Sequence, residues 1–175
     1  MADFLIIVLL LSNLLQFYQD LRYRAIEAWI LLLLVLSILT YAFLKYGFTE
    51  AGANMLLNTG VLIILILPVV LYYYAKYRKI DLFNYLGMGD LIFLLAITPL
   101  FSLFNFVAFY ISGLILALIL HQVFKLNKKY NGSTIPLAGF NSIFLAFVLI
   151  VNHFNWVDIN DDTYYHNLLA NYVFY

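Results

Sequence analysis

The sequence of 175 residues contains no cysteine, and few of its residues are charged. The lack of cysteine excludes disulfides, thiolate metal sites and cysteine nucleophiles. Basic and acidic residues number nine each, and a formal net charge of zero argues against a nucleic-acid-binding surface. With 66% hydrophobic residues, 10% charged residues and a mean hydropathy of +0.97, the chain is predicted to be an integral membrane protein without a soluble domain.

Six apolar segments are candidates for helices that span a bilayer, which takes roughly 20 mostly apolar residues. They predict an all-α bundle of six transmembrane helices, at residues 4–18, 28–46, 55–74, 91–103, 106–124 and 136–154. The stretch 91–124 is divided because a single helix of that length would far exceed a hydrocarbon core of roughly 30 Å. We predict a tight turn near Asn105 and a kink at Pro99 in the fourth segment.

The basic residues are distributed asymmetrically around these segments. Only Lys45 falls on the other side of the predicted bundle. The other eight follow the first, third and fifth segments: Arg22, Arg24, Lys76, Arg78, Lys79, Lys125, Lys128 and Lys129. The positive-inside rule therefore predicts that these three loops are cytoplasmic and that both termini lie outside. Residues 1–155 are predicted to form the transmembrane domain, and 156–175 an outer aromatic tail with a candidate interfacial helix at 168–175.

Two aspartates lie where apolar segments meet the predicted cytoplasmic face. Asp20 follows the first segment, and Asp90 ends the run Gly87, Met88, Gly89 and Asp90 just before the fourth. A charge in lipid costs about 2.5–3.5 kcal/mol at the bilayer centre on insertion scales, so acids at the edge of the membrane suggest a function. Glycines at 87 and 89 allow a sharp turn and a close approach of the backbone to a partner.

Each aspartate also has a structural explanation. Asp20 could pair with Arg24 at i,i+4 or cap the start of the second helix, and Asp90 could be the N-cap of the fourth. Glu27, expected in the first turn of the second helix, and Asp81, in a polar loop, are interpreted as solvated charges. No metal site is expected, because the histidines lack ligand spacing and the acidic run 158–162 lacks the glycine and glutamate of a calcium loop.

Residues 20–26 (DLRYRAI) and 87–90 (GMGD) together resemble the type IV prepilin peptidase family, which includes the short archaeal preflagellin peptidases and belongs to the GxGD aspartic peptidases. The run Ile-Pro-Leu-Ala at 135–138 is similar to the Ile-Pro entry that precedes a span in this family. Ile92 stands where many bacterial members have lysine, and Glu27 where the family usually has proline. These departures leave the choice of substrate open.

The resemblance implies that Asp20 and Asp90 are the catalytic residues, with Gly87, Met88 and Gly89 supporting the motif. Arg22, Arg24 and Pro136 are candidate contacts to substrate or lipid headgroups. One carboxylate would activate water while its protonated partner hydrogen-bonds the scissile carbonyl, so the two share a proton. We expect the first and fourth helices to be neighbours, with the two aspartates facing each other.

The implied activity is a membrane aspartic endopeptidase without cofactor, located in the cytoplasmic membrane of a prokaryote. Its partner would be a pilin-like precursor with a class III signal, whose short basic leader is cut at the cytoplasmic face. Methylation of the new N-terminus is not expected, because the chain lacks the Cys-x-x-Cys pairs and extra spans of larger members. A presenilin-like protease is less favoured, since Gln19 precedes Asp20 in place of tyrosine.

Two non-enzymatic alternatives remain open. The chain could be a scaffold for membrane assembly, or a small transporter whose acids carry protons. A transporter is expected to hold such acids near the bilayer midplane, whereas here they lie at the ends of the segments.

Overall fold

A computed structural model describes residues 2–23, 25–78, 87–125, 136–163, 165 and 167. Within these ranges the regular secondary structure is entirely helical. Six α-helices account for most of it: α1 (Ala2–Tyr23), α2 (Ala28–Tyr46), α3 (Phe48–Tyr77), α4 (Met88–Ile97), α5 (Leu103–Lys125) and α6 (Leu137–His153). A 3₁₀ turn, Thr98–Leu100, follows α4 directly.

Four of the described helices are long and apolar enough to cross a membrane. Their apolar spans are Phe4–Tyr23, Ala28–Tyr46, Phe48–Lys76 and Leu103–Lys125. The segment Met88–Leu100 and helix α6 are also apolar but shorter. The chain thus has the helical character of a membrane protein, whereas the count of six spans stays a prediction.

The connection between α2 and α3 is a single residue, Gly47, with a φ of 84°. That backbone conformation favours glycine, which has no Cβ to clash with the following carbonyl. The N–H of Gly47 donates to the Phe43 C=O and so satisfies one of the free carbonyls at the end of α2. The sharp turn lets α3 begin at Phe48, well before the predicted start at residue 55.

The break between α4 and α5 differs from the prediction. It lies at Phe101 and Ser102, whereas Asn105 belongs to the first turn of α5. Pro99 is buried in the 3₁₀ turn and helps to end α4 instead of kinking a longer helix. Proline fits there because its fixed φ suits the start of a tight helical turn, where its missing N–H is not needed.

Asn58, on the apolar helix α3, holds this break in place. Its Nδ2 donates to the C=O of Thr98 at 2.8 Å and to the C=O of Phe101 at 2.7 Å. Both carbonyls are left without their helical partners by the change of direction. A buried amide on α3 therefore stabilises the connection between α4 and α5.

Helix α6 lies among several neighbours. It packs along α1 and α5 and also contacts α4, while α1 and α4 each pack on α2. The largest fully buried side chains of the described residues are aromatic or aliphatic and come from several helices, and they include Leu9, Leu34, Ile38, Phe93, Ile97, Phe106, Phe140 and Leu145. The start of α6 is thereby brought to the same end of the bundle as the end of α1 and the start of α4.

The described part of the predicted tail folds back on the bundle. Ile159 is buried, and its C=O accepts the Ser102 N–H at 3.0 Å. The ring of Tyr165 stacks on that of Phe104, with centroids 5.6 Å apart. The candidate interfacial helix at 168–175 lies outside the described residues.

Candidate active site

The buried face of α1 carries a row of polar side chains. Asp20 is only 9% exposed, although it lies near the end of the helix. Spacings of three and four residues place the row on one side of α1. Its members are Ser12, Asn13, Gln16 and Asp20.

Arg22 lies on the opposite side of α1 from Asp20 and is exposed. Its guanidinium donates to the Tyr18 hydroxyl and lies 5.6 Å from the centre of that ring. A second ring, that of Tyr23, is 5.3 Å away. The side chain thus covers aromatic surface at the helix end, where headgroups would lie, and it leaves the face of Asp20 free for other partners.

Asp90 lies in the first turn of α4, and Gly87 is the N-cap of that helix. The alternative that Asp90 caps its own helix is therefore wrong. Its Oδ1 instead accepts the N–H of Ala138 from α6, at 2.6 Å. Asp90 is half-buried in this position.

Asp20 binds the same part of α6. Its Oδ2 accepts the N–H of Gly139 at 2.7 Å, and this is the amide directly after that of Ala138. Because consecutive amide nitrogens are separated by three covalent bonds, the two accepting oxygens are at most about 10 Å apart. The two residues, called the aspartate pair below, therefore form one site on α6.

The start of a helix suits this arrangement. Its first amides have no partner within the helix, and the helix dipole gives that end a partial positive charge. Pro136 is the N-cap of α6 and makes no side-chain cap hydrogen bond. The aspartate pair supplies the missing acceptors from two other helices, so α6 joins α1 to α4.

The expected direct packing of the first and fourth helices is corrected by this geometry. Helices α1 and α4 have little contact of their own, and each packs on α2 and α6 instead. The run at 135–138 was expected to precede a span, but its place between the two aspartates was not expected. The aspartates meet because α6 presents two adjacent N–H groups, and Pro136 takes part as the N-cap that begins that helix.

Three glycines leave room for the aspartate pair and its surroundings. A Cβ at Gly139 would lie 2.9 Å from Asp20 Oδ2 and 3.0 Å from Asp20 Cβ, so the aspartate would have to move. A Cβ at Gly87 would lie 3.0 Å from Asp90 Oδ2. At Gly89 it would lie 3.1 Å from Ile26 Cδ1, which shows that the glycine motif packs on the segment following Asp20.

The remaining acids of the sequence prediction have other positions. Glu27 is the N-cap of α2 and not a first-turn residue, and its carboxylate accepts the indole N–H of Trp29. Its backbone N–H donates to Gln19 Oε1 at 3.0 Å. Because Glu27 holds the N-cap position, the alternative that Asp20 caps α2 is wrong. Arg24 and Asp81 lie outside the described residues.

Two components of the site were missed by sequence reasoning. The amides of Ala138 and Gly139 belong to the backbone, so only the neighbouring proline and glycine could have indicated a helix start that accepts carboxylates. Gln16 was visible as a polar residue one turn before Asp20.

Among the residues that the structure describes, no three or more His, Asp or Glu side chains are grouped to hold a metal ion.

No protein-family model matches the chain, and no curated protein or solved structure is detectably similar to it. The resemblance to type IV prepilin peptidases therefore stays a prediction from residues 20–26, 87–90 and 135–138 and from the order of the apolar segments. The geometry adds that both segments converge on the start of α6.

Proposed function

We propose that the chain is a membrane aspartic endopeptidase that removes the short leader of pilin-like precursors, with Asp20 and Asp90 as its catalytic residues. The proposal depends on one observation above all. Two carboxylates from separate helices accept consecutive N–H groups of α6, one at 2.7 Å and the other at 2.6 Å. Two carboxyl groups that share a proton must be held close to each other, and the adjacent amides of α6 hold them so.

The chemistry needs one ionised and one protonated carboxyl group. The ionised group takes a proton from water as the water oxygen bonds to the scissile carbonyl carbon, while the protonated group hydrogen-bonds the carbonyl oxygen. The carbon–nitrogen bond then breaks, and the proton passes to the leaving amine. Repulsion between like charges disfavours double ionisation, and the positive end of α6 stabilises the single negative charge.

The position in the bundle fits a substrate that is partly embedded in lipid. Asp20 near the end of α1, Asp90 at the start of α4 and the start of α6 lie at one end of the bundle, on the side of exposed Arg22 and Arg78. By the positive-inside rule this end is cytoplasmic in a six-span topology with both termini outside. Water reaches the pair from the cytoplasm of a prokaryote while the hydrophobic helix of the precursor stays in the bilayer.

The same contacts favour a scaffold as the second candidate. A carboxylate that accepts an N–H at a helix start stabilises the helix without any chemistry. In that function Asp20 and Asp90 would join three helices, and nothing would be cleaved. A proton-coupled transporter fits less well, because the pair lies at helix ends and not near their middle.

A cleavage assay distinguishes these functions. The purified protein in lipid vesicles is mixed with a leader-bearing pilin-like precursor, and the products are analysed by mass spectrometry. Asp20→Asn and Asp90→Asn should each lower the cleavage rate by about 10³-fold or more, because asparagine cannot exchange the proton. Both variants should stay folded, since the amide oxygen of asparagine accepts the same N–H.

The matched controls are Glu27→Gln and Asp162→Asn. Each neutralises an acidic side chain that does not belong to the aspartate pair. Both should cleave at near the wild-type rate. The product should carry an unmodified N-terminal amine. A folded wild-type protein that leaves such precursors intact, or an Asp20→Asn variant with near-normal activity, would favour the scaffold.

A further inference from the structure

Gln16 is the most unusual polar residue on the buried face of α1. It is 0% exposed and lies one turn before Asp20 on the same face of the helix. Among the described residues, neither its Oε1 nor its Nε2 has a hydrogen-bond partner. A buried amide without partners destabilises a protein, so its retention in the core needs a reason.

The two other uncharged polar residues of that face behave differently. The Ser12 hydroxyl donates to the Leu9 C=O at 2.9 Å, and Asn13 Nδ2 donates to the same carbonyl at 2.8 Å. Both side chains thereby donate within their own helix, as short polar side chains in helices commonly do. Asn13 Oδ1 has no partner among the described residues, but the amide donor of Asn13 is used. Gln16 differs from both because neither its donor nor its acceptor is partnered among the described residues, one turn from Asp20.

The substrate of a peptidase in this position has complementary needs. A helical peptide has no free backbone groups, so the segment around the scissile bond must unwind before it is cut. Each unwound peptide unit then exposes one N–H and one C=O, and both need partners in a site with little water. A glutamine amide offers an acceptor and a donor side by side and can pair with both groups.

We propose that Gln16 binds the backbone of the substrate, pairing with a peptide unit on the C-terminal side of the scissile bond. This inference rests on the proposed function. Four helical residues place Gln16 about 6 Å further along the α1 axis than Asp20, toward the middle of the membrane. An extended chain covers that distance in about two residues, and in a pilin-like precursor the hydrophobic segment begins on that side.

The structural and functional explanations predict changes in different quantities. If Gln16 only fills space, Gln16→Leu removes two unpartnered polar atoms, raises thermal stability and leaves cleavage unchanged. If Gln16 binds substrate, the same variant also loses activity. The measurements are the thermal unfolding midpoint in detergent and kcat/KM for a synthetic precursor peptide that covers the leader and the start of the hydrophobic segment.

We expect Gln16→Leu to unfold at or above the wild-type temperature and to lose about 10–100-fold in kcat/KM. Asn13→Leu is the matched control, since it lies on the same face but further from Asp20, and it should stay within about twofold of wild type. Gln16→Met provides a second apolar variant of similar length should leucine disturb folding. Wild-type kcat/KM in a folded apolar variant would overturn the proposal.

A change on the substrate side tests the same hydrogen bonds. Ester linkages replace, in turn, the first three peptide amides after the scissile bond, and each removes one N–H donor. Wild-type protein should lose activity most with one of these peptides, and Gln16→Leu should show no further loss with that peptide. Equal further losses in both proteins would contradict the inference. If Asp20→Asn is inactive and Gln16→Leu is fully active, only the proposed role of Gln16 is wrong. If Asp20→Asn is active, the proposed function is wrong.

Discussion

The two ends of the bundle use polar side chains differently. At the end where α5 begins, the groups bond to one another: Asp162 accepts the Ser102 hydroxyl, and Asn105 Nδ2 donates to Ser102 Oγ at 2.9 Å and to the Asp161 C=O at 3.0 Å. At the other end, two carboxylates share one helix start, and Gln16 has unpartnered amide atoms within the described ranges.

This difference suits two roles for polar side chains, one in holding the fold together and one in the proposed chemistry. The groups at the Ser102 end join the segment around Ile159 to the start of α5 through hydrogen bonds to one another and to the backbone. The Asp20 end keeps two carboxyl groups close together, and it holds the buried Gln16 amide, both of whose polar atoms are unpartnered within the described ranges. Local arrangements that oppose stability in this way are expected where a site must bind or react.

The largest expected contrast between the ends is the side of the membrane on which they lie. The chain has no native cysteine, so single cysteines can be introduced by Ala25→Cys, Lys125→Cys and Val157→Cys. A membrane-impermeant thiol reagent should label the first two from the cytoplasmic side and the third from outside. Labelling of the variants at 125 and 157 from the same side would show that α6 does not cross, and the six-span topology would be wrong.

Two glycine substitutions should sharpen the comparison in activity. In Gly139→Ala the added Cβ lies 2.9 Å from Asp20 Oδ2, so the carboxylate must move, and we expect cleavage to fall by about 10–100-fold. Gly113→Ala on α5 is the control. Its Cβ would lie 2.5 Å from Oδ1 of Asn141, which belongs to the same helix α6 as Gly139. It should lower stability while the rate per folded molecule stays near wild type. Equal loss of rate in both variants would contradict a specific role for the position of Asp20.

The smallest effect on activity is expected at the Ser102 end. Ser102→Ala deprives the Asp162 carboxylate of a hydroxyl donor and should lower the free energy of unfolding by about 1–3 kcal/mol. Cleavage by the folded fraction should change by less than about twofold. Denaturant or thermal unfolding in detergent, measured beside the cleavage rate, checks both quantities. A large loss of rate without loss of stability would show that this end also takes part in the chemistry.

The sequence predicted some elements of the fold closely because hydrophobicity dominates them. The segment 28–46 coincides with α2, and 106–124 lies within α5. The start of α3 was placed too late because polar residues such as Glu50 and Asn54 resemble a loop. In the structure both side chains bond to Asn160, so a helix can include them.

The candidate site could be predicted only as far as side chains indicate it. Asp20 and Asp90 stand out as acids beside apolar segments, and their convergence was expected. The means of convergence was not predictable, because the amides of Ala138 and Gly139 carry no side-chain signal. Gln16 is visible in the sequence, but its lack of partners depends on packing around α1.

The proposed mechanism requires that Asp20 and Asp90 act as one unit, and a double-mutant comparison of cleavage rates shows whether they do. The wild type, Asp20→Asn, Asp90→Asn and the double variant are assayed with the same precursor, in an assay sensitive enough to measure the residual rates. We expect the double variant to be no slower than either single variant, because each carboxyl group works only with its partner. Losses that multiply in the double variant would show that the two aspartates act independently, and would contradict the proposed mechanism.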